Sequence, residues 1–321
     1  MATRAFHDHA LDVVGRVVAF RQSVHVAHHR KSSKKTTAAG AVVVREGGAG
    51  PEVLLVHRVD HDGWVLPHDT LDPDEYPASC AARRTLEQTA VGVRIGVPLG
   101  QVSRADGHRS LQVAYWRAVA VSAGRHHPTD DVDRVAWLPA TEAALLVTTE
   151  ERGLIERAVE LPDSVPVLIV RHGKAMLRAD WSGRDQARPL TSRGRRQSQR
   201  LAALLEAFGV GRLASSTSIR CMKTLQPFAK LHRLEVVGWT TLSEEQAEQN
   251  LKAVEKLIRR LAKEAVESGA PLAICGHRPV LPTMLATFGI PNRALRPGTT
   301  VIAHLGPAGE TVAFEHHEPR A

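Results

Sequence analysis

From residue 38 onward the chain alternates short apolar runs of strand length with longer stretches of helical spacing. "AAGAVVV" (38–44) and "PEVLLVHRV" (51–59) flank the glycine-rich "REGGAG", a pattern that predicts a β-hairpin. "GWVLPHDTLDPDE" (63–75) is rich in proline and aspartate and reads as a loop, with a helix expected over about 77–89. "VGVRIGVPLGQVS" (91–103), "SLQVAYWRAVAV" (110–121) and "VDRVAWLP" (132–139) read as further strands, followed by one helix over about 141–161. Strands and helices in this order predict an α+β domain over 38–160.

"LPDSVP" (161–166) is a short polar, proline-bounded stretch and reads as a linker. Beyond it the order changes. "VPVLIV" (165–170), "RLASST" (212–217), "LEVVGW" (234–239) and "PLAICGH" (271–277) are strand-like, and helical patterns separate them. In the first of those helices Leu201, Leu204, Leu205 and Phe208 fall at i, i+3, i+4 and i+7, one face of a helix. A second is expected over about 219–231, and a long charged one over about 244–268. Alternation of this kind implies an α/β domain over 167–321, in three layers around a mostly parallel sheet. "TTVIAHLG" and "ETVAFEHHE" close the chain as two further strands.

Composition narrows the class. At 321 residues, with 43% hydrophobic and 24% charged positions, the chain has the length and balance of a two-domain soluble protein. No apolar run approaches the roughly 20 residues needed to span a bilayer, and Asp12 and Arg16 interrupt the only apolar stretch near the N-terminus. Cys80, Cys221 and Cys275 are far apart and form no C-x-x-C pair, which fits a reducing, cytoplasmic setting without disulfides. The net charge is +8, and much of it lies in a basic arm over 1–37 containing "HHRKSSKK". No aromatic residues interleave these charges for base stacking, which argues against nucleic acid as the partner. The histidines at 7 and 9, 28–29, 126–127 and 316–317 lack metal-ligand spacing and are expected at the surface.

Candidate chemistry gathers at the strand ends of the second half. "VLIVRHGKA" places Arg171, His172 and Gly173 at the carboxyl edge of the sheet, where open α/β sheets bind ligands. Neutral imidazole is nucleophilic near pH 7, a guanidinium grips phosphate oxygens in pairs, and glycine admits close approach to the backbone. "SSTSIRCMKT" sets Arg220 after another strand and "ICGHRP" sets His277 after a third. This ordered set resembles the histidine phosphatase superfamily, whose pattern is R-H-G, then S-S-x-x-x-R-x-x-x-T, then G-H; the resemblance covers about 165–321. "RHGKA" and "ARPLTSRGRRQSQRLA" are most similar to the small branch that includes the phosphohistidine phosphatases.

The resemblance implies that His172 attacks phosphorus to form a phosphohistidine, which water hydrolyses, with no metal or other cofactor. It implies that Arg171, Arg220 and His277 hold the phosphoryl group, with Gly173 and Arg188 as substrate contacts. For the general acid it points to "LSEEQAEQ", where Glu244 is favoured and Glu245 stands beside it.

The first half resembles the Nudix hydrolases of the MutT type, whose signature is G-x5-E-x7-R-E-U-x-E-E-x-G-U with U aliphatic. Laid on 69–91, Glu75, Arg83, Glu87 and Val91 match. Asp69 and Ala90 stand in place of glycine, Thr85 in place of an aliphatic residue, and Arg84 and Gln88 in place of metal-binding glutamates. Positions 84, 87 and 88 share one helix face, so the resemblance implies a Mg²⁺ site there of which Glu87 and Glu75 remain. A guanidinium on that face repels cations, so this Nudix-like domain is expected to be catalytically impaired.

The order of the two domains resembles bacterial two-domain MutT-type proteins, associated with oxidised purine nucleotides, including 8-oxo-guanine forms, and with dinucleoside polyphosphates. The expected function is that of a phosphohydrolase acting through His172 on a small phosphorylated substrate such as a nucleotide. The alternatives are a Mg²⁺-dependent Nudix diphosphate hydrolase and a nucleotide-binding regulator.

Overall fold

The computed structural model describes residues 37–59, 63–106, 109–129 and 131–320; the basic arm and the histidines at 7, 9, 28 and 29 lie outside them. Among the described residues the first half builds a seven-stranded sheet. The hairpin β1 (Ala38–Gly47) and β2 (Gly50–Arg58) forms as the turn residues predict. β1 also runs parallel to β6 (Arg109–Ala123), which pairs with β5 (Val91–Asp106). β3 (Gly63–Val65) and β7 (Val132–Pro139) pair with β2, and β4 (His68–Thr70) with β1. Helix α1 (Pro77–Thr89) carries the Nudix-box residues. Pro77 starts it where a missing N–H costs nothing, and Ala90 stops it in the left-handed conformation at φ 57°.

Two long helices expected from the sequence are each broken. The helix expected over 141–161 is α2 (Ala140–Leu146) and α3 (Thr149–Glu160). Thr148 caps α3, and Glu151 returns a bond to it, so the start signal lies inside the apparent helix. The helix expected over 244–268 is α6 (Glu244–Gln249) and α7 (Leu251–Ser268), because the Asn250 side chain accepts from Ala253 N and begins a new helix.

The second half is a six-stranded sheet in the order β10 (Val236–Trp239), β9 (Arg212–Ser216), β11 (Leu272–Gly276), β8 (Val165–Arg171), β12 (Thr300–Leu305), β13 (Thr311–His317). The β10–β9, β9–β11 and β11–β8 pairings are parallel, and the last two are antiparallel. Helices α4 (Ser192–Ala207), α5 (Ile219–His232) and α8 (Leu281–Thr287) complete its layers with α7. β8 begins at Val165, inside the stretch read as a linker.

One apolar cluster runs through both halves. Ala39, Leu54, Cys80, Ile95 and Trp116 share it with Leu168, Val170, Leu204 and Phe208. At its edge Trp116 Nε1 donates to the Glu315 carboxylate, 3.0 Å from Oε2, and Arg200 pairs with Asp74 at 3.0 Å. Glu315 also binds His304 Nε2 at 3.0 Å and His317 Nε2 at 2.9 Å. Burial pushes its carboxyl up, but His317 and His304 outweigh burial and bring it down to about 2. His317 is therefore a core residue, 6% exposed, and not the surface residue its polar "HH" context suggested. The β-strand period turns it inward against Phe208 and Tyr76.

Candidate active site

The register of the second sheet assembles the site. β8 and β11 are parallel with Arg171 opposite Gly276, so the next residues, His172 and His277, leave the sheet side by side. Their ring centroids are 5.3 Å apart at 64°, edge to face. β9 lies beside β11, and a turn through Ser218 carries the chain into α5, where Arg220 sits in the first turn, 1% exposed. Three neighbouring strand ends thus bring together Arg171, His172, Arg220 and His277.

Hydrogen bonds fix the tautomer of His172. Its Nδ1 lies 2.8 Å from Gly173 O, and a carbonyl can only accept, so Nδ1 carries the proton and Nε2 keeps a free lone pair. Burial is the main force lowering its pKa to about 4, with Arg220, Arg171 and Arg188 adding to it and the Gly173 bond opposing. His277 is lowered to about 2 by burial first and by Arg220 and His172 after it. Both rings are neutral at pH 7. His277 Nε2 sits 2.8 Å from Ser216 Oγ, and its Nδ1 is 3.5 Å from Glu244 Oε1.

Gly173 is held by the framework. Its N–H donates to Thr224 Oγ1 at 3.0 Å, and Thr224 donates onward to Arg220 O at 2.7 Å, tying the His172 loop to α5. A Cβ at Gly173 would lie 2.9 Å from Gly194 O, so its lack of a side chain admits the first turn of α4.

The acids divide clearly. Glu244 Oε2 is 3.2 Å from Arg220 and its other oxygen faces His277, whereas exposed Glu245 accepts from Gln186 at 2.9 Å. Asp185, which the sequence reading passed over, enters the site fully. Its carboxylate binds Arg188 Nε at 2.8 Å and Arg220 at 2.9 Å, and its carbonyl accepts from Arg220 at 2.8 Å. Burial raises its carboxyl pKa, but Arg188 and Arg220 more than offset this and hold it below the usual carboxylate range. An acid three residues before a candidate phosphate-binding arginine, in "DQARPL", was the available signal. Arg171 donates to Leu295 O, while its Nε and that of Arg220 are buried without a partner. Unpaired guanidinium N–H groups beside a free imidazole nitrogen suit an anion.

The Nudix helix has a different character. Arg83 grips Glu75 through two bonds of 2.8 and 2.7 Å and reaches Glu87 at 3.2 Å. Arg84 lies 3.2 Å from Glu87 and 3.5 Å from Asp69, the residue standing where the signature has glycine. Gln88 turns inward, donating to His68 O at 3.1 Å. Thr85 is buried, its hydroxyl bonded to Ala81 O at 2.7 Å. Nudix domains generally use Mg²⁺, but these residues do not fit it. The two retained glutamates face guanidinium groups, and among the described residues no group of three or more His, Cys, Asp or Glu is arranged to hold a metal ion.

Fold and site together define a phosphohydrolase with two unlike halves. Residues 34–158 match the NUDIX domain model, and 167–249 match the histidine phosphatase superfamily (branch 1). The chain is 35% identical over 252 residues to the 8-oxo-(d)GTP phosphatase of Mycolicibacterium smegmatis, covering 78% of this chain and 76% of that protein. It belongs to that family of hydrolases acting on phosphate esters or anhydrides, in which a Nudix domain precedes a histidine phosphatase domain. Among solved structures, the protein histidine phosphatase SixA complexed with tungstate is 21% identical with TM-score 0.40, covering 49% of this chain and 97% of that one. The C. elegans Ap4A hydrolase binary complex is 20% identical with TM-score 0.35, covering 38% and 93%. No helix of the described residues is long and apolar enough to cross a membrane.

Proposed function

We propose that the chain removes a terminal phosphoryl group through a phosphohistidine formed on His172. The observation that carries this is the free Nε2 of a buried, neutral His172 between Arg171, Arg220 and His277. Nε2 attacks phosphorus, and the leaving oxygen departs with the electron pair of the broken P–O bond. Arg171 and Arg220 hold the equatorial oxygens through N–H groups now without partners, and His277 supplies a further polar contact. Arg188 fixes Asp185, which in turn orients Arg220. Glu244 exchanges a proton with the leaving oxygen or with the water that later hydrolyses the N–P bond; its contacts with Arg220 and His277 support this role. The substrate is a small nucleotide of the oxidised purine kind, as the relative's activity on 8-oxo-(d)GTP suggests.

The Nudix-like domain contributes little or no metal-dependent hydrolysis of its own. What supports this is the pairing of Arg84 with Asp69 and Glu87, which holds a cation of the protein where a divalent cation would bind. The test is a rapid-quench assay with γ-³²P-labelled 8-oxo-dGTP in EDTA. An acid-labile, base-stable phosphoenzyme is expected in wild type and none in His172→Ala. Turnover that persists in His172→Ala and disappears in EDTA would overturn both statements.

A further inference from the structure

Trp181 stands apart from the other four tryptophans. Trp116 lies in the apolar cluster shared by the two halves, and Trp64, Trp137 and Trp239 pack against apolar clusters of their own domains, whereas Trp181 belongs to none of these. It is half-buried in the loop between β8 and α4, and among the described residues no ring or guanidinium stacks on it. An indole kept out of the core in this way has a face free for a ligand.

The loop fixes that indole close to the phosphate seat. Trp181 Nε1 donates to Arg184 O at 3.0 Å. A Cβ at Gly183 would come within 2.9 Å of the ring, so the absence of a side chain lets the loop close against the indole. Asp185 follows directly, and its carboxylate ties the loop to Arg178 at 3.1 Å, Arg188 at 2.8 Å and Arg220 at 2.9 Å. One residue, about 3.8 Å of chain, separates Arg184, whose carbonyl anchors the indole, from Asp185, which orients Arg220. Ile219, directly before Arg220, is a second large apolar side chain exposed to solvent. A free aromatic face this near to phosphate-binding arginines suits a ligand with one anionic end and one flat end.

We infer that Trp181 is the platform on which the nucleobase of the substrate stacks while the terminal phosphoryl group sits between Arg171 and Arg220. This rests on the His172 reading and deepens it. Because Nε1 is already bonded to Arg184 O, the indole offers the base a face and no hydrogen-bond donor. Every base has a π-face, so the stack grips dGTP and its oxidised form alike and leaves the oxidised edge to other groups. The stack forms with the bound substrate and persists through the reaction, so it acts on KM rather than kcat.

The experiment compares wild type, Trp181→Ala and Trp181→Phe by steady-state kinetics in EDTA, with 8-oxo-dGTP and dGTP as substrates and inorganic tripolyphosphate as inhibitor. Trp181→Ala should raise KM about tenfold or more for both nucleotides, the scale of one lost base stack, with kcat changed less than about threefold. Trp181→Phe should recover most of the loss. Tripolyphosphate carries the phosphates without a base, so its inhibition constant should be the same in wild type and Trp181→Ala. An unchanged KM overturns the inference, and so does a loss confined to 8-oxo-dGTP. Equal weakening of tripolyphosphate also overturns it, because the side chain then serves the fold or the phosphate seat. A second measurement needs no turnover: 8-oxo-dGTP should quench the tryptophan fluorescence of His172→Ala, and Trp181→Phe in that background should abolish the quench. A quench undiminished by Trp181→Phe overturns the stack. Failure of the His172 reading looks different, because wild type then forms no phosphoenzyme while the quench and its loss remain.

Discussion

Both halves of this molecule place arginines beside carboxylates at a position suited to phosphate chemistry, and they differ in what is left unpaired. On α1 the charges close on one another: Arg83 with Glu75 and Glu87, Arg84 with Asp69 and Glu87. At the phosphatase edge Asp185 and Glu244 cover part of Arg220, yet Arg171 Nε, Arg220 Nε and His172 Nε2 still lack partners. In the first cluster the carboxylates Asp69, Asp72, Glu75 and Glu87 are drawn into ion pairs with Arg83 and Arg84, whereas the second gathers guanidinium groups around a neutral imidazole, which suits an anion. Retained motif residues therefore say less about activity than the balance of charges around them.

The sharpest way to break the comparison is to remove one key candidate from each half, the nucleophile His172 and the metal-ligand candidate Glu87. His172→Ala should lower turnover by roughly 10⁴-fold or more, as loss of a covalent nucleophile does. Glu87→Gln should change turnover less than about threefold, since Glu87 faces two guanidinium groups. Steady-state assays with and without EDTA check both. An EDTA-sensitive enzyme killed by Glu87→Gln would reverse the assignment of roles.

The joint between the halves gives the next largest effect. Glu315→Leu leaves Trp116 Nε1 and two buried imidazoles without their shared partner, and should cost about 3 kcal/mol in denaturant unfolding. Acid weakens the same region. The Glu315 carboxyl, about 2 when folded, contributes stability above its ordinary 4.5 that is lost as pH falls toward 2. His172 near 4 and His277 near 2 act in the same direction: below pH 6.5 the unfolded chain takes up protons that the folded one refuses. Unfolding midpoints should therefore fall steadily below pH 6.5, and less steeply in His172→Ala.

The same buried His172 shapes activity. With substrate ionisation divided out, kcat/KM should hold down to well below pH 6.5 and fall only on approach to pH 4, where His172 takes a proton. An acid limb at pH 6.5 would mean that the ring is solvated in the free enzyme.

Two smaller changes probe the Nudix helix. Ala90 holds a left-handed conformation at the position where the signature has glycine, so Ala90→Gly should stabilise the fold by about 1 kcal/mol in thermal denaturation. Restoring Mg²⁺ binding takes three changes, because Asp69 has become the partner of Arg84. Asp69→Gly, Arg84→Glu and Gln88→Glu together should bind Mg²⁺ by calorimetry where wild type does not. Arg84→Glu alone sets a new carboxylate against Asp69 and should lower stability slightly.

Much of the fold was legible because its cues are local. The hairpin glycines, the apolar strands and the period of α4 depend on neighbours a few residues away, and these elements stand where the patterns put them. The helix breaks at Thr148 and Asn250 were legible in kind, but each cap lies within a longer helical pattern that masks it. At the site, Arg171, His172, Arg220 and His277 could be named because they lie at or just beyond the ends of three strands, with Arg220 in the first turn of the helix that follows β9. Asp185 had only its spacing before Arg188 to mark it: it starts a short 3₁₀ turn (Asp185–Ala187) away from the strand ends and meets Arg220 only in the folded chain.

By itself the sequence determined the two domain types and their order, and it nominated the candidate phosphate-binding side chains, because short-range pattern and motif spacing encode them. Tertiary structure alone decided which charges cancel. Arg84 finds Asp69 across 15 positions, Arg220 finds Asp185 across 35, and Trp116 finds Glu315 across 199. Coulomb energy and desolvation act through space, so arginines and carboxylates build either a closed knot of ion pairs or an open cationic seat according to which of them the fold brings together.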